Sequence, residues 1–260
     1  MWETREFHQK MRKPGANEPV DAVTWVRERL GLTSDTLQAR VLGTKHKRGV
    51  LNCSRQWGKS TITAAKAVHQ AYTEAESLTL VVSPSGRQSA EFLRKAATFV
   101  RKLKIQVRGD GDNEISLLLP NGSRIVGVPG TEGTIRGFSG VRLLLIDEAS
   151  RVSDDVYLAV RPMLATSDGS LWLMSTPNGK RGFFYKAWAQ GEPEWERIMA
   201  PATECSRIPK SFLDEERREM GDRCFRQEYL CEFEDTTSGV FGRDVVERAF
   251  SGDVEPLVLG

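Results

Sequence analysis

Short apolar runs recur along the chain, and each is followed by a segment with helical or turn character. Residues 48–52, 78–83, 143–146 and 171–175 form such runs and predict strands. The run at 143–146 is wholly apolar, which is typical of a parallel strand buried on both faces. Strands that alternate with helices predict an α/β fold with a mostly parallel central sheet.

Two segments depart from this alternation. Residues 114–128 predict a β-hairpin, because Asn121-Gly122 is a turn signal between two β-rich arms. After residue 193 the pattern weakens to a short strand at 195–199 and charged helices at 211–220 and 222–230. We therefore predict a core domain at 1–193, a small C-terminal lid subdomain at 194–235 and a linker at 236–260.

Residues 53–60, with the sequence CSRQWGKS, lie between a predicted strand and a predicted helix and match a phosphate-binding loop. In such a loop backbone N–H groups surround the phosphates, a lysine contacts the β- and γ-phosphates, and a hydroxyl holds Mg²⁺. Lys59 and Ser60 supply these last two groups. Cys53 stands where the pattern has its first glycine, so a chance strand–turn–helix is the alternative.

A second apolar run, at 141–146, ends in Asp147 and Glu148 and has the form of a Walker B strand. Ligands of open α/β sheets bind at the carboxyl ends of the strands, which brings both carboxylates beside Lys59 and Ser60. We expect Asp147 to hold Mg²⁺ and Glu148 to orient or deprotonate the attacking water. The alternative, that the two acids only cap the next helix, is disfavoured by the phosphate loop upstream.

Several motifs together resemble one family. Residues 54–61 are similar to the S-R-Q-x-G-K-[ST]-T loop of the large subunits of terminases, the DNA-packaging motors of tailed bacteriophages, in which a non-glycine at the first loop position is habitual. The segments TIRGF at 134–138, STP at 175–177 and RQEYLCEF at 226–233 resemble further motifs of that family, in family order. The resemblance implies a P-loop NTPase of the additional-strand, catalytic-glutamate type, a branch that also includes helicases.

The resemblance also implies roles for individual residues. Gln38 is implied to recognise adenine, and Arg55 and Arg136 to neutralise charge in the transition state, with Arg136 reaching a neighbouring subunit. The residues Ser175, Thr176 and Pro177 are implied to couple hydrolysis to movement. Nucleotide contacts are implied along the whole loop: Ser54, Arg55, Gln56, Trp57, Gly58, Lys59, Ser60 and Thr61. The residues alone leave an alternative for each of these three. Gln38 could lie on a helix surface, Arg55 could cap a helix, and Arg136 could stabilise its own loop.

The function that follows from the resemblance is an Mg²⁺-dependent ATPase that moves double-stranded DNA into a procapsid. The implied cofactors are ATP and Mg²⁺, and the implied partners are double-stranded DNA, the portal protein and the terminase small subunit. We expect a ring-forming homo-oligomer, a pentamer when assembled and a monomer as an isolated domain, in the host bacterial cytoplasm at the procapsid. A helicase-like or DNA-remodelling ATPase and a nucleotide-clamped assembly module are the alternatives.

Composition adds limits to this interpretation. The 260 residues are 39% hydrophobic, enough for one large domain, and the net charge of +2 neither indicates nor excludes nucleic acid. We expect no membrane span, and no nuclease domain before residue 260, so that the chain is a fragment. Basic residues at 45–48, at 94–95 and at 101–104 are candidates for DNA-backbone contacts, although charge runs are usually solvated faces.

Overall fold

The computed structural model describes residues 21–130, 135 and 137–235. Seven strands form one sheet in these residues, in the order β3-β4-β2-β5-β6-β1-β7. They are β1 (Arg48–Cys53), β2 (Leu78–Ser83), β3 (Ser116–Leu118), β4 (Arg124–Pro129), β5 (Val141–Asp147), β6 (Ser170–Ser175) and β7 (Trp195–Ala200). All neighbouring strands are parallel except β3 and β4. The predicted α/β class and the mostly parallel sheet are therefore confirmed.

The described residues contain seven α-helices: α1 (Ala22–Leu30), α2 (Thr36–Gly43), α3 (Lys59–Thr73), α4 (Gly86–Lys102), α5 (Asp154–Val160), α6 (Gly182–Gln190) and α7 (Lys210–Tyr229). Three short 3₁₀ helices cover Ala149–Arg151, Arg161–Leu164 and Ala202–Glu204. No helix in this part of the chain is long and apolar enough to cross a bilayer.

Strand β6 lies between the strand that leads into the phosphate loop and the strand that ends in the two carboxylates. Val50 of β1 is paired with Leu173, and Trp172, the residue before Leu173 on β6, is paired with Leu145 of β5. This inserted strand is the additional strand that the sequence predicted. Because β1, β6 and β5 run parallel, their carboxyl ends meet at one edge of the sheet, where ligands of α/β folds bind.

Side chains of β5 alternate between two buried layers. Leu143 and Leu145 belong to the core beneath α3 and α4, while Leu144 and Ile146 belong to the core on the opposite face, beneath α5 and α6. Close contact between neighbouring strands adds to the packing. A Cβ on Gly49 would lie 2.6 Å from the ring atoms of Trp172, so only glycine fits at this point of β1.

The hairpin predicted at 114–128 is present. Leu117 of β3 is paired antiparallel with Ile125 of β4, and the connecting turn contains Gly122 at φ +83°. The Asn121 side chain donates a hydrogen bond of 2.8 Å to the carbonyl of Ala71, which fastens this turn to the end of α3. The hairpin thus extends the sheet at the edge farthest from β7.

Strand β7 is not part of a lid, and the predicted boundary at residue 194 is wrong for this strand. It is parallel to β1, with Val50 opposite Arg197, and forms the edge of the main sheet. Its first three residues are all partly exposed and only Ile198 and Ala200 are buried, which is why it looked detached from the apolar strands of the core. The physical reason for the pairing is that β1 would otherwise expose a row of unpaired backbone groups.

The region after β7 has a small core of its own. Ala202, Leu213, Phe225 and Tyr229 form a cluster separate from the two clusters that flank the sheet. Helix α7 is interrupted at Gly221 (φ 78°, ψ 158°), between the two helices predicted at 211–220 and 222–230. The segment 236–260, predicted as a linker, lies outside the described residues.

Candidate nucleotide site

The loop between β1 and α3 turns back on itself through two residues with left-handed backbones. Gln56 has φ 61° and Gly58 has φ 102°, and α3 begins immediately afterwards at Lys59. Cys53, at the position of the missing glycine, is the last residue of β1 and has no positive φ. Its buried thiol faces the carbonyl of Ser175 at 3.8 Å. An extended strand residue has no need of the conformational freedom of glycine, so the cysteine leaves the loop intact.

The four residues predicted to carry the phosphate and metal chemistry lie together. Lys59 Nζ is 2.9 Å from Glu148 Oε1, and Ser60 Oγ is 3.3 Å from Asp147 Oδ2. Both pairs join the start of α3 to the end of β5 across the carboxyl end of β6. A cleft of about 360 Å³ opens beside them, lined by Ser54, Arg55, Gln56, Gly58, Lys59, Gln88, Lys95, Glu148, Arg151 and Thr176.

Burial and charge act against each other at this cleft. Burial raises the pKa of Asp147, while the Lys59 ammonium opposes the rise. Burial would lower the pKa of Lys59, but Cys53, Glu148 and Asp147 outweigh it and the pKa is raised, so Lys59 stays a cation. A buried carboxylate beside a hydroxyl offers the hard oxygen ligands that Mg²⁺ prefers, and the usual Mg²⁺ site has few protein ligands. Ser60 and Asp147 therefore fit the metal they are predicted to hold.

Glu148 has an uncommon backbone conformation, with φ 51° and ψ 43°. A non-glycine residue in this region costs on the order of 1–3 kcal/mol and is found where the surroundings enforce it, often at functional sites. The Ser175 hydroxyl donates to Glu148 Oε2 at 3.4 Å and lies 2.8 Å from the Ser150 hydroxyl. The end of β6, predicted to couple hydrolysis to movement, thus touches the predicted catalytic carboxylate.

Comparison with known proteins identifies the family. Residues 50–248 match the N-terminal domain of the T4-like type of terminase large subunit. The chain belongs to the terminase large subunit family. It is 25% identical over 252 residues to the terminase large subunit of Thermus phage G20c, which covers 82% of this chain and 51% of that protein. The chain therefore spans about half the length of the curated relatives it matches.

Two solved terminases share the fold. The large terminase ATPase domain of Thermus phage P74-26 has a TM-score of 0.73 at 22% identity, covering 83% of this chain and all of that one (100%). The large terminase of the thermophilic bacteriophage D6E, in complex with ADP, has a TM-score of 0.62 at 13% identity, covering 82% and 52%. Both likenesses show that the chain shares the α/β fold of these domains.

Gln38, the implied adenine contact of the terminase family, lies behind the phosphate loop. Its side-chain oxygen accepts from the backbone N–H of Asp35 at 3.2 Å, and its amide nitrogen donates to the carbonyl of Trp57 at 3.3 Å. Only 5% of Gln38 is exposed, and the Trp57 side chain is buried in the core. The structure thus gives Gln38 a capping and loop-supporting contact, and its role toward adenine stays a prediction.

Arg55 is held by the region that follows β7. Its Nε donates to Glu228 Oε2 at 2.6 Å, and its backbone N–H donates to the Glu228 carbonyl at 3.2 Å. Arg151, which follows Glu148 in a 3₁₀ helix, is 3.8 Å from the same carboxylate. Arg55 thus points along the rim of the cleft and not at its floor. The predicted finger, Arg136, lies outside the described residues.

Sequence reasoning did not assign several residues to this site. Glu228 was within a quoted motif, RQEYLCEF, but no role was derived for it. Arg207 donates to the carbonyl of Trp57 from the segment before α7, and nothing in the sequence around it signals that contact. Gln88 and Lys95 reach the cleft from α4. Their spacing of seven residues was the available signal, because it places both on one side of a helix.

Proposed function

We propose that this chain is the ATP-hydrolysing motor domain of a terminase large subunit, which uses ATP and Mg²⁺ to drive double-stranded DNA into a procapsid. One observation carries the proposal: the pairs Lys59–Glu148 and Ser60–Asp147 lie side by side at the carboxyl ends of parallel strands. These are the groups that bind phosphate, hold metal and activate water in phosphoryl transfer.

Lys59 has two roles in this proposal. Without nucleotide it neutralises Glu148, and with ATP it exchanges that carboxylate for β- and γ-phosphate oxygens. Glu148 is then free to orient a water for attack on the γ-phosphate. Ser60 and Asp147 would hold Mg²⁺, which when bound supplies positive charge to the phosphate oxygens. The exchange couples binding to activation, because the base is released only when phosphate takes the lysine.

Two arginines are proposed to supply further positive charge in the transition state. Arg55 must leave Glu228 to reach a phosphate, since its guanidinium is 2.6 Å from that carboxylate. Arg136 is proposed to act on the active site of a neighbouring subunit. Ser175 contacts Glu148, and with Thr176 and Pro177 it is proposed to pass the change at hydrolysis toward the region of residues 202–230.

The assembly in which this motor would work is also a proposal. We infer a homo-oligomeric ring, a pentamer, on the portal protein in the host cytoplasm, with the terminase small subunit and double-stranded DNA as partners. Gln38 is proposed to approach adenine from behind the loop, and the loop residues 54–61 to surround the phosphates. The lid role predicted for 194–235 is proposed for the part of that segment that follows β7, residues 202–230.

Two variants test the proposal. Lys59→Ala should abolish binding of labelled ATP, because it removes the phosphate counter-charge. Glu148→Gln should keep ATP binding, since it retains the side-chain shape, yet lose hydrolysis. A Glu148→Gln variant with wild-type turnover would overturn the catalytic assignment. Equal binding of ATP by Lys59→Ala and the wild type would overturn the nucleotide site itself, and with it the motor function.

A further inference from the structure

Helix α4 contributes a lysine to the nucleotide cleft that the sequence assigned to DNA. The buried side of α4 includes Phe92 and Ala96, and α4 packs on the same face of the sheet as α3. Lys95 is partly buried and lines the cleft, as does Gln88 two turns earlier. Its neighbour Arg94 is 69% exposed and pairs with Glu91 on the outer surface. The two basic residues therefore face different surroundings.

Lys95 differs from the other cations that line the cleft. Arg55 and Arg151 share the carboxylate of Glu228, and Lys59 pairs with Glu148. Lys95 has no ion pair or hydrogen bond with any residue in the described ranges 21–130, 135 and 137–235. The Lys95 ammonium is therefore available to an anionic ligand in the cleft. Helix α4 contacts β4 and β2, which lie on the side of β5 away from β1, so Lys95 reaches the cleft from that side.

The end of strand β2 adds a further polar group beside Asp147. Val82 is paired with Ile146, and Ser83 and Asp147 are the residues that follow on their strands. The hydroxyl of Ser83 is buried and has no hydrogen-bond partner within the described residues. Because Val82 belongs to the core on the far face, Ser83 faces the side of the sheet where α3 and α4 lie. A hydroxyl and an ammonium thus lie on the side of Asp147 opposite the phosphate loop.

We propose that Lys95 is a nucleotide-binding residue that contacts the terminal phosphate of ATP from the side of the cleft opposite Lys59. This inference rests on the proposed ATPase function. Ser60 and Asp147 would hold Mg²⁺, which would supply positive charge to the phosphate oxygens. The backbone N–H groups of a phosphate loop hold the α- and β-phosphates. A cation on the side of Asp147 opposite the loop therefore faces the terminal phosphate. The negative charge of the triphosphate also exceeds the positive charge of Mg²⁺ and Lys59 together. The carboxylates of Asp147 and Glu148 increase this excess of negative charge.

The test compares Lys95→Gln with Arg94→Gln, which removes the same charge from the adjacent position of the same helix. Binding of ATPγS and ADP in Mg²⁺ is measured by calorimetry. We expect Lys95→Gln to weaken ATPγS binding about 10- to 100-fold, as for a lost charge-assisted hydrogen bond, and ADP binding less than about 3-fold. Arg94→Gln should change neither affinity, and Lys95→Arg should restore most of the ATPγS affinity.

Equal ATPγS affinities for Lys95→Gln and Arg94→Gln would overturn this inference. The rival role of Lys95 is a contact with the DNA backbone, which is tested by binding of a DNA duplex without nucleotide. If Lys95 contacts DNA, Lys95→Gln should weaken DNA binding and reduce the salt dependence of its affinity by about 1 in slope. Its ATPγS binding should then be unchanged. Lys59→Ala separates a failure of the proposed role of Lys95 from a failure of the proposed ATPase function. If Lys59→Ala loses ATPγS while Lys95→Gln does not, only the role of Lys95 fails. If both bind as the wild type does, the proposed function fails as well.

Discussion

The contact between Arg55 and Glu228 predicts an unusual variant, one that binds ATP more tightly than the wild type. Glu228 accepts from the Arg55 side chain at 2.6 Å and raises the pKa of that arginine. If Arg55 is to contact phosphate, this bond must break each time ATP binds. Glu228→Gln keeps the shape and the backbone bond to the loop but removes the charge, so the cost of breaking the bond falls.

The size of the effect follows from exposure. The Arg55 side chain is 58% exposed and that of Glu228 is 14% exposed. A half-exposed pair is screened by solvent and contributes about 0.2–1 kcal/mol, well below the value for a buried pair. Since 1.4 kcal/mol is a factor of ten, we expect Glu228→Gln to tighten ATP binding about 1.5- to 5-fold. The gain should shrink as salt is added, because screening weakens the bond that the mutation removes.

The assay is calorimetric titration of ATPγS with Mg²⁺ at low and high salt, with Glu219→Gln as the control. Glu219 is an exposed acid of the same helix, and no ion pair in the described residues involves it. The Glu219→Gln variant should leave the affinity for ATPγS unchanged. Weaker ATPγS binding by Glu228→Gln would refute the reasoning, because it would mean that Glu228 holds Arg55 in its binding position and does not compete with the phosphate.

Three further predictions concern cleavage, assembly and pH. Supercoiled plasmid incubated with this chain and Mn²⁺ should stay intact, and metal-dependent nicking that copurifies with the chain would contradict this. Mixing Arg136→Ala subunits with Glu148→Gln subunits should recover part of the wild-type ATPase rate, because Arg136 of the second variant then faces Glu148 of the first. If assembled mixtures show no recovery, Arg136 acts within its own subunit. Burial lowers the pKa of Lys66 to about 8, below the ordinary value for lysine, so the folded chain releases this proton before the unfolded chain does. The stability of the wild type should therefore rise from pH 8 to 10 relative to Lys66→Met in urea unfolding, and parallel pH profiles would contradict the buried position.

The sequence by itself determined the parts of the site that are contiguous in the chain. Lys59 and Ser60 begin α3 after the short loop that follows β1, and Asp147 ends β5 with Glu148 directly after it, so local geometry leaves their placement little freedom. Strand β2 covers the predicted residues 78–83, and the helix break at Gly221 falls between the two predicted helices. Patterns of this kind are local, because a strand, a turn or a helix start depends on residues within one or two turns.

Only the tertiary structure decided what meets across long sequence distances. The placement of β7 beside β1 depends on which edge of the sheet remained open, and a strand with only two buried residues fits a lid equally well. Arg94 and Lys95 are adjacent in sequence, yet one faces solvent and the other lines the cleft beside Lys59. Successive residues on a helix point about 100° apart, and the packing of α4 on the sheet decides which of them is turned inward. The bond between Arg55 and Glu228 joins residues 173 positions apart, so it exists only because the chain folds region 202–230 back onto the loop.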